Sequence, residues 1–192
     1  MSGPDRRTAR GVRTRARLIQ SMIGLIEDQV PNPTTRQVAH GAGVSVRSIF
    51  HHFDDIEDLF CRATEHQASR HRALVAIIPP NGPVAPRIRA TSRQRRQHFE
   101  MLGPVLRVAY SRSQVSPALS RVLALHRRML RHQLTVTFGP EIAARGQQAR
   151  LVLEVVDLAT GWQSWNALRF DSGRTATAAE QTMVFAVTTM LR

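Results

Sequence analysis

Between Thr34 and Phe53 the chain reads TTRQVAHGAGVSVRSIFHHF, two short helical patterns parted by a glycine, and few folds accept helices joined so tightly. Thr34 can cap a helix through His40, because its hydroxyl can accept an unpaired first-turn N–H, and Val38 and Ala39 would then face inward. Gly43 stands where the chain must turn, with positive φ expected, and Ser45 is placed to cap the next helix. In that second helix Val46, Ile49 and Phe50 share one side, which leaves Arg47, Ser48 and His51 on the other. Such a pair, with a basic face turned outward, has the shape of a DNA-reading unit.

The charge balance points the same way. All 27 basic residues are Arg against 14 acidic ones, a formal charge of +13. Guanidinium pairs bidentately with phosphate and with guanine edges, so an Arg excess favours polyanions, although GC-rich coding would also remove Lys. With 192 residues, 42% of them apolar, the chain can build one large core or two small ones. Cys61, the single cysteine, has no partner for an internal disulfide, and it reads as a small buried hydrophobe beside Phe60. The first 30 residues lack an apolar signal region, and the longest apolar run, Ala73 to Ile78, falls far short of the ~20 residues that cross a bilayer. These features predict a soluble, cytoplasmic protein with no membrane partner.

Along the chain the first eight or so residues, with Arg6 and Arg7, and Arg10 just beyond, read as a mobile basic arm. A first helix is expected from about Arg13 to Gln29, with Leu18, Met22, Leu25 and Ile26 in one stripe. Arg13, Arg15 and Arg17 near its start oppose the helix dipole, which suits a nearby polyanion or else a solvated basic face. Asp54 or Asp55 can cap a long connecting helix that continues toward Ile78. Four prolines between Pro79 and Pro86 mark the clearest boundary. Beyond it the pattern is helical, with breaks expected at Gly103-Pro104, Ser116-Pro117 and Gly139-Pro140, and no strand-like alternation. Leu151, Val155, Leu158, Trp162 and Trp165 recur at helical steps, and the last helix carries Met183, Val187 and Met190. Two helices this apolar fit a four-helix interface with a second copy, or burial within one chain.

Eight histidines raise the question of a metal, but no pair stands at i, i+4 on one helix and no second Cys assists, so no metal site and no cofactor are expected. No nucleophile elbow or phosphate-cradling Gly-rich loop appears, which argues against an enzyme and leaves no catalytic residue to name. Arg47 is the strongest candidate for base readout, since its fork can take guanine O6 and N7 together; a phosphate or an internal carboxylate are its other possible partners. Ser45, Val46, Ser48 and His51 are weaker base-edge candidates, and Thr35, Arg36 and His52 suit the backbone.

Thr14-Arg15 and Arg17-Leu18-Ile19, then Thr34-Thr35, Val38-Ala39, Ala42-Gly43-Val44-Ser45, Ile49-Phe50, His52-Phe53 and Leu59, resemble the N-terminal segment of TetR-family transcriptional regulators. Near the end, Ser164-Trp165, Leu168-Arg169 and Gly173 are similar to the effector domains of some members. The chain departs from the family pattern at Phe50, where a Tyr is usual, at Ile56, where a Lys is usual, and at Arg47, where a small residue is common. The resemblance implies an all-α protein: a three-helix helix-turn-helix DNA-binding domain with a basic arm (1–54), then a helical ligand-binding and dimerisation domain (55–192, with 55–78 connecting). It implies a ligand-responsive repressor that binds a palindromic double-stranded DNA operator as a homodimer. The DNA contacts expected are Arg6, Arg7, Arg10, Thr34, Thr35, Arg36, Ser45, Val46, Arg47, Ser48, Phe50, His51 and His52. The dimer contacts expected are Leu151, Val155, Leu158, Trp162, Met183, Val187 and Met190. A small lipophilic or aromatic effector would be lined by Phe99, Met101, Leu102, Tyr110, Met129, Trp162, Trp165 and Asn166. The competing expectation is a basic helical adaptor that binds nucleic acid by charge, without reading sequence.

Overall fold

In the computed structural model the described residues are 6–192, with side chains from Thr8 onward. They form ten α-helices and no strand. Two compact units result, one from residues up to Arg70 together with Leu102–Ala124, the other from His71–Met101 together with Leu125–Arg192.

The first unit opens with α1 (Arg6–Glu27), which buries Leu18, Ile19, Met22, Ile23 and Ile26. It begins well before Arg13. The arm expected at residues 6–10 is helix, because arginine is a good helix former and needs no apolar period to continue a turn. The helix closes at Gln29, whose φ of 63° turns the chain out of register. Next, α2 (Thr35–Gly41) is capped as the sequence predicts: Thr34 Oγ1 accepts the Gln37 N–H at 3.3 Å, and Gln37 Oε1 accepts the Thr34 N–H at 2.9 Å. Gly43 has φ 61°, the left-handed conformation that favours glycine, and a Cβ there would displace the tip of the flexible Arg17 side chain, 2.7 Å away.

Helix α3 (Val46–His52) follows without the expected side-chain cap. The Ser45 hydroxyl lies 3.1 Å from that of Ser48 and takes no backbone N–H. Only Ile49 of α3 is buried; Val46 and Phe50, expected on its inner side, are exposed. Then α4 (Ile56–Arg70) starts on Asp55, whose carboxylate accepts the Asp58 N–H at 2.7 Å; it packs on α1, and its Leu59, Phe60 and Ala63 are buried. It stops at Arg70, short of Ile78, and a 3₁₀ turn (Arg72–Val75) succeeds it.

Helices α5 (Val84–Arg112) and α6 (Pro117–Thr137) each contribute to both units. The break expected at Gly103-Pro104 is absent: α5 carries Pro104 in its interior, and such a residue removes one ladder bond without ending a helix held by its flanks. Breaks do fall at Ser116-Pro117 and before Gly139-Pro140. The second unit continues with α7 (Gly139–Ala143), α8 (Ala149–Ala159), α9 (Trp162–Asn166), a π-helical turn (Ala167–Asp171) and α10 (Ala176–Leu191), which Thr175 caps. Ile88, Leu134, Phe138, Ile142, Val152, Val156, Val187 and Leu191 make its apolar core. The stripe from Leu151 to Trp165 is therefore two helices, parted at Thr160-Gly161.

Candidate nucleic-acid interface

Residues 6–53 contain eight arginines and two acids, Glu27 and Asp28, both at the far end of α1. Among the described residues no carboxylate lies within ion-pair distance of Arg10, Arg13, Arg36 or Arg47; the pairs of this unit are Arg62 with Asp58 and Glu65, and Arg112 with Glu57. The field around α1 to α3 is thus uncompensated and suits an anion.

Side chains of α1 and α3 line one open groove of about 420 Å³: Arg10, Gly11 and Thr14 from the first, Val44, Ser45, Arg47, Ser48, His51 and His52 from the turn and the second. Ile49 at 0% exposure and Phe53 at 3% anchor α3 to the core, which fixes the outward direction of Arg47 and His51. Phe50 is 56% exposed, an apolar ring on an otherwise polar face. The Arg15 guanidinium lies over the Phe53 ring, 4.9 Å from its centroid, and Arg17 reaches back to the Gly43 carbonyl at 3.5 Å. These two arginines brace the turn as well as charging it. His52 meets His51 edge-on at 5.1 Å. Burial first, then His51 and Arg15, push its pKa below the usual histidine value, which favours the neutral ring.

The structure brings Arg10, Ser45, Arg47, Ser48, His51 and His52 to this groove, and leaves Val46 and Phe50 exposed on the same helix. Thr35 and Arg36 lie at the start of α2, half-buried and exposed respectively. The Thr34 hydroxyl is engaged in its capping box. The side chains of Arg6 and Arg7 lie outside the described residues. Gly11, Thr14 and Val44 are lining residues that sequence reasoning missed; the signal available was the helical register that puts Arg10 and Thr14 one turn apart.

Of the effector candidates, Phe99, Trp162 and Trp165 come together, with Phe99 5.7 and 6.0 Å from the two indole rings. Met129 and Asn166 are half-buried in the same unit, and Met101 is 51% exposed to solvent. Leu102 and Tyr110 belong to the other unit. Of the dimer candidates, Leu151, Val155 and Leu158 form an exposed stripe on α8. Trp162, Met183 and Val187 lie in the interior of the chain, at most 4% exposed, which is the burial within one chain that the sequence left open; Met190 packs half-buried on the core. Phe185 of α10, 74% exposed, was missed.

The family model for bacterial regulatory proteins, tetR family, matches residues 30–63, which run from the end of α1 into α4. Among solved structures, a transcriptional regulator from Rhodococcus sp. Rha1 is similar at a TM-score of 0.71 and 18% identity, over 94% of this chain and 95% of that one. A protein from Pseudomonas aeruginosa PAO1 assigned as a transcriptional regulator gives 0.70 and 20%, over 92% and 89%. A third, from Mesorhizobium loti MAFF303099 and assigned to the TetR-family transcriptional regulators, gives 0.66 and 18%, over 95% and 96%. No curated protein matches the chain. Residues 30–63 thus match the model of the tetR family of bacterial regulatory proteins, and the chain shares its fold with these three structures.

Proposed function

We propose that the protein is a ligand-responsive repressor which binds a palindromic operator as a homodimer in the cytoplasm, and which acts by binding and not by catalysis. The observation that carries this reading is the exposed, uncompensated face of α3, with Arg47 at its centre and Ile49 locked beneath it. Residues 1–54 serve as the DNA-binding domain and 55–192 as the effector and dimerisation domain. Leu151, Val155, Leu158 and Phe185 are apolar, exposed and carried by α8 and α10, which supports pairing with a second copy through those helices. Two α3 helices would then enter successive major grooves ~34–36 Å apart. An effector bound in the second domain would favour a dimer with the wrong separation, by no more than its differential affinity for the two states.

Arg47→Ala should relax sequence preference at one position per half-site and weaken the preferred site by about 1–3 kcal/mol. Fluorescence anisotropy against a randomised-operator library checks this, and an unchanged preference removes Arg47 from base readout. Binding that is steeply salt-dependent and equal on all sequences would instead establish an adaptor that works by charge alone.

A further inference from the structure

Within the second unit one face of α5 presents Thr91, Arg95 and His98, with Ser92 on its flank, and each is 1% exposed or less. Arg95 donates from Nη2 to the Leu130 carbonyl at 2.7 Å, while its Nε and Nη1 are buried without a hydrogen-bond partner; the hydroxyls of Thr91 and Ser92 are in the same condition. A buried guanidinium needs a counter-anion as well as hydrogen bonds. The acid nearest in charge terms is Asp157, but its Oδ2 is held by Arg127 at 3.2 Å and Arg131 at 3.0 Å, and Arg95 is outside ion-pair distance of it. Arg131 also takes Glu154. Three guanidinium groups thus face two carboxylates, and the charge left over is the one most deeply buried. The neighbouring imidazoles add none: His98 and His126 stack with Nε2 atoms 2.8 Å apart, and burial pushes both pKa values far below the usual range. Burial also brings Arg95 down to about 9, still charged at pH 7.

We propose that Arg95, Thr91 and Ser92 form a binding site for the carboxylate of a small monocarboxylic acid whose apolar body lies toward Phe99, Trp162 and Trp165. The free Nε–H and Nη1 N–H donors of the guanidinium diverge, so one of them meets a carboxylate oxygen, the free hydroxyls of Thr91 and Ser92 one turn back on the helix are further donors, and one negative charge balances one positive. Phe99 is one turn beyond Arg95 on the same helix, against His98 and both indole rings, which gives an apolar wall beside the charge. This inference rests on the effector role proposed for this unit and names the chemical class of its ligand.

The test uses the full chain and its two tryptophans, Trp162 and Trp165, titrated by fluorescence with sodium benzoate, phenylacetate and octanoate, and with phenylacetamide and octanamide as uncharged counterparts. A saturable response to at least one carboxylate is expected, weakened roughly ten- to a hundredfold in the matching amide and in Arg95→Met. Arg95→Met should also unfold at a higher temperature than the parent without added acid, since it removes an uncompensated buried charge. If that variant does not fold, Thr91→Val, which keeps volume and loses the hydroxyl, should bind the acid several-fold more weakly. No response to any of the three carboxylates, or equal responses to acid and amide, overturns the site. Operator binding measured on the same samples separates the two ideas: acid binding that leaves DNA affinity unchanged keeps the site and removes its effector role, whereas specific DNA binding without acid binding does the reverse.

Discussion

In the unit that carries α1 to α4 the cations stay outside: its interior is Leu18, Met22, Ile26, Val38, Ile49, Phe53 and Leu59, and its arginines ring the surface. The other unit takes polar groups inward, holding ten of the thirteen buried polar side chains, among them Arg87, Arg95, His98, His126 and Asp157. A dry apolar core gives one sharp packing arrangement, which suits a helix that must hold Arg47 in a fixed direction. Buried ionisable groups cost stability, and they are retained where their chemistry is used or where partners satisfy them, as Glu141 and the Thr137 carbonyl do for Arg87.

The contrast can be broken most directly at Ile49. Ile49→Ala should cost about 2–5 kcal/mol, because a fully buried side chain leaves a cavity under the helix that bears Arg47; urea unfolding followed by circular dichroism reads the loss. A cost near zero would mean that the apolar unit is no more tightly packed than the polar one.

Acid should separate the units next. His98 and His126 have folded pKa values below 6.5, so the unfolded chain binds more protons between that value and the folded ones. Their stabilisation is whole above about pH 6.5 and is lost as pH falls, by ~1.4 kcal/mol per pH unit for each ring that titrates only on unfolding. His52 acts in the same direction from a more exposed position. Thermal melts from pH 7 to 4.5, read by tryptophan fluorescence, should show this decline, and His98→Phe with His126→Phe should flatten it. A parent melting temperature indifferent to pH would sink the assignment of two neutral rings.

The smallest effect belongs to the edge of the apolar unit. Thr34→Ala removes the acceptor for the Gln37 N–H and should lower stability by about 1 kcal/mol. Thr34→Ser, which keeps the hydroxyl, should recover most of it in the same urea titration.

What the sequence makes legible follows from how local the signal is. Thr34, Gly43, Asp55, Pro117 and Thr175 act within a few residues, and the structure places each at a turn or a helix start. Periodicity works where a helix is long, as for Leu18, Met22 and Ile26 on α1. It misleads on α3, whose seven residues are too few to separate an inward face from its flank, so Val46 and Phe50 were placed on the wrong side. On α8 and α9 the break at Gly161 rotates the tryptophans away from the exposed stripe that precedes them. The groove's α3 members were readable from the outward face of that helix, but Gly11 and Val44 depend on how α1 crosses it. The stacked His98 and His126, 28 residues apart, depend wholly on tertiary packing, and composition alone would place a residue such as Arg95 on the surface.

Cys61 sits in the apolar face of α4, and burial, with Glu57, Asp58 and Glu65 nearby, pushes its thiol up to about 11. At neutral pH it holds its proton and is only 6% exposed, so maleimide reagents should react with it slowly while the chain is folded. A cysteine introduced at an exposed position, Phe50 or Leu158 for instance, would therefore be the one reactive thiol on the chain. Spin or fluorophore labels could report on α3 and α8 separately, with the native cysteine left in place.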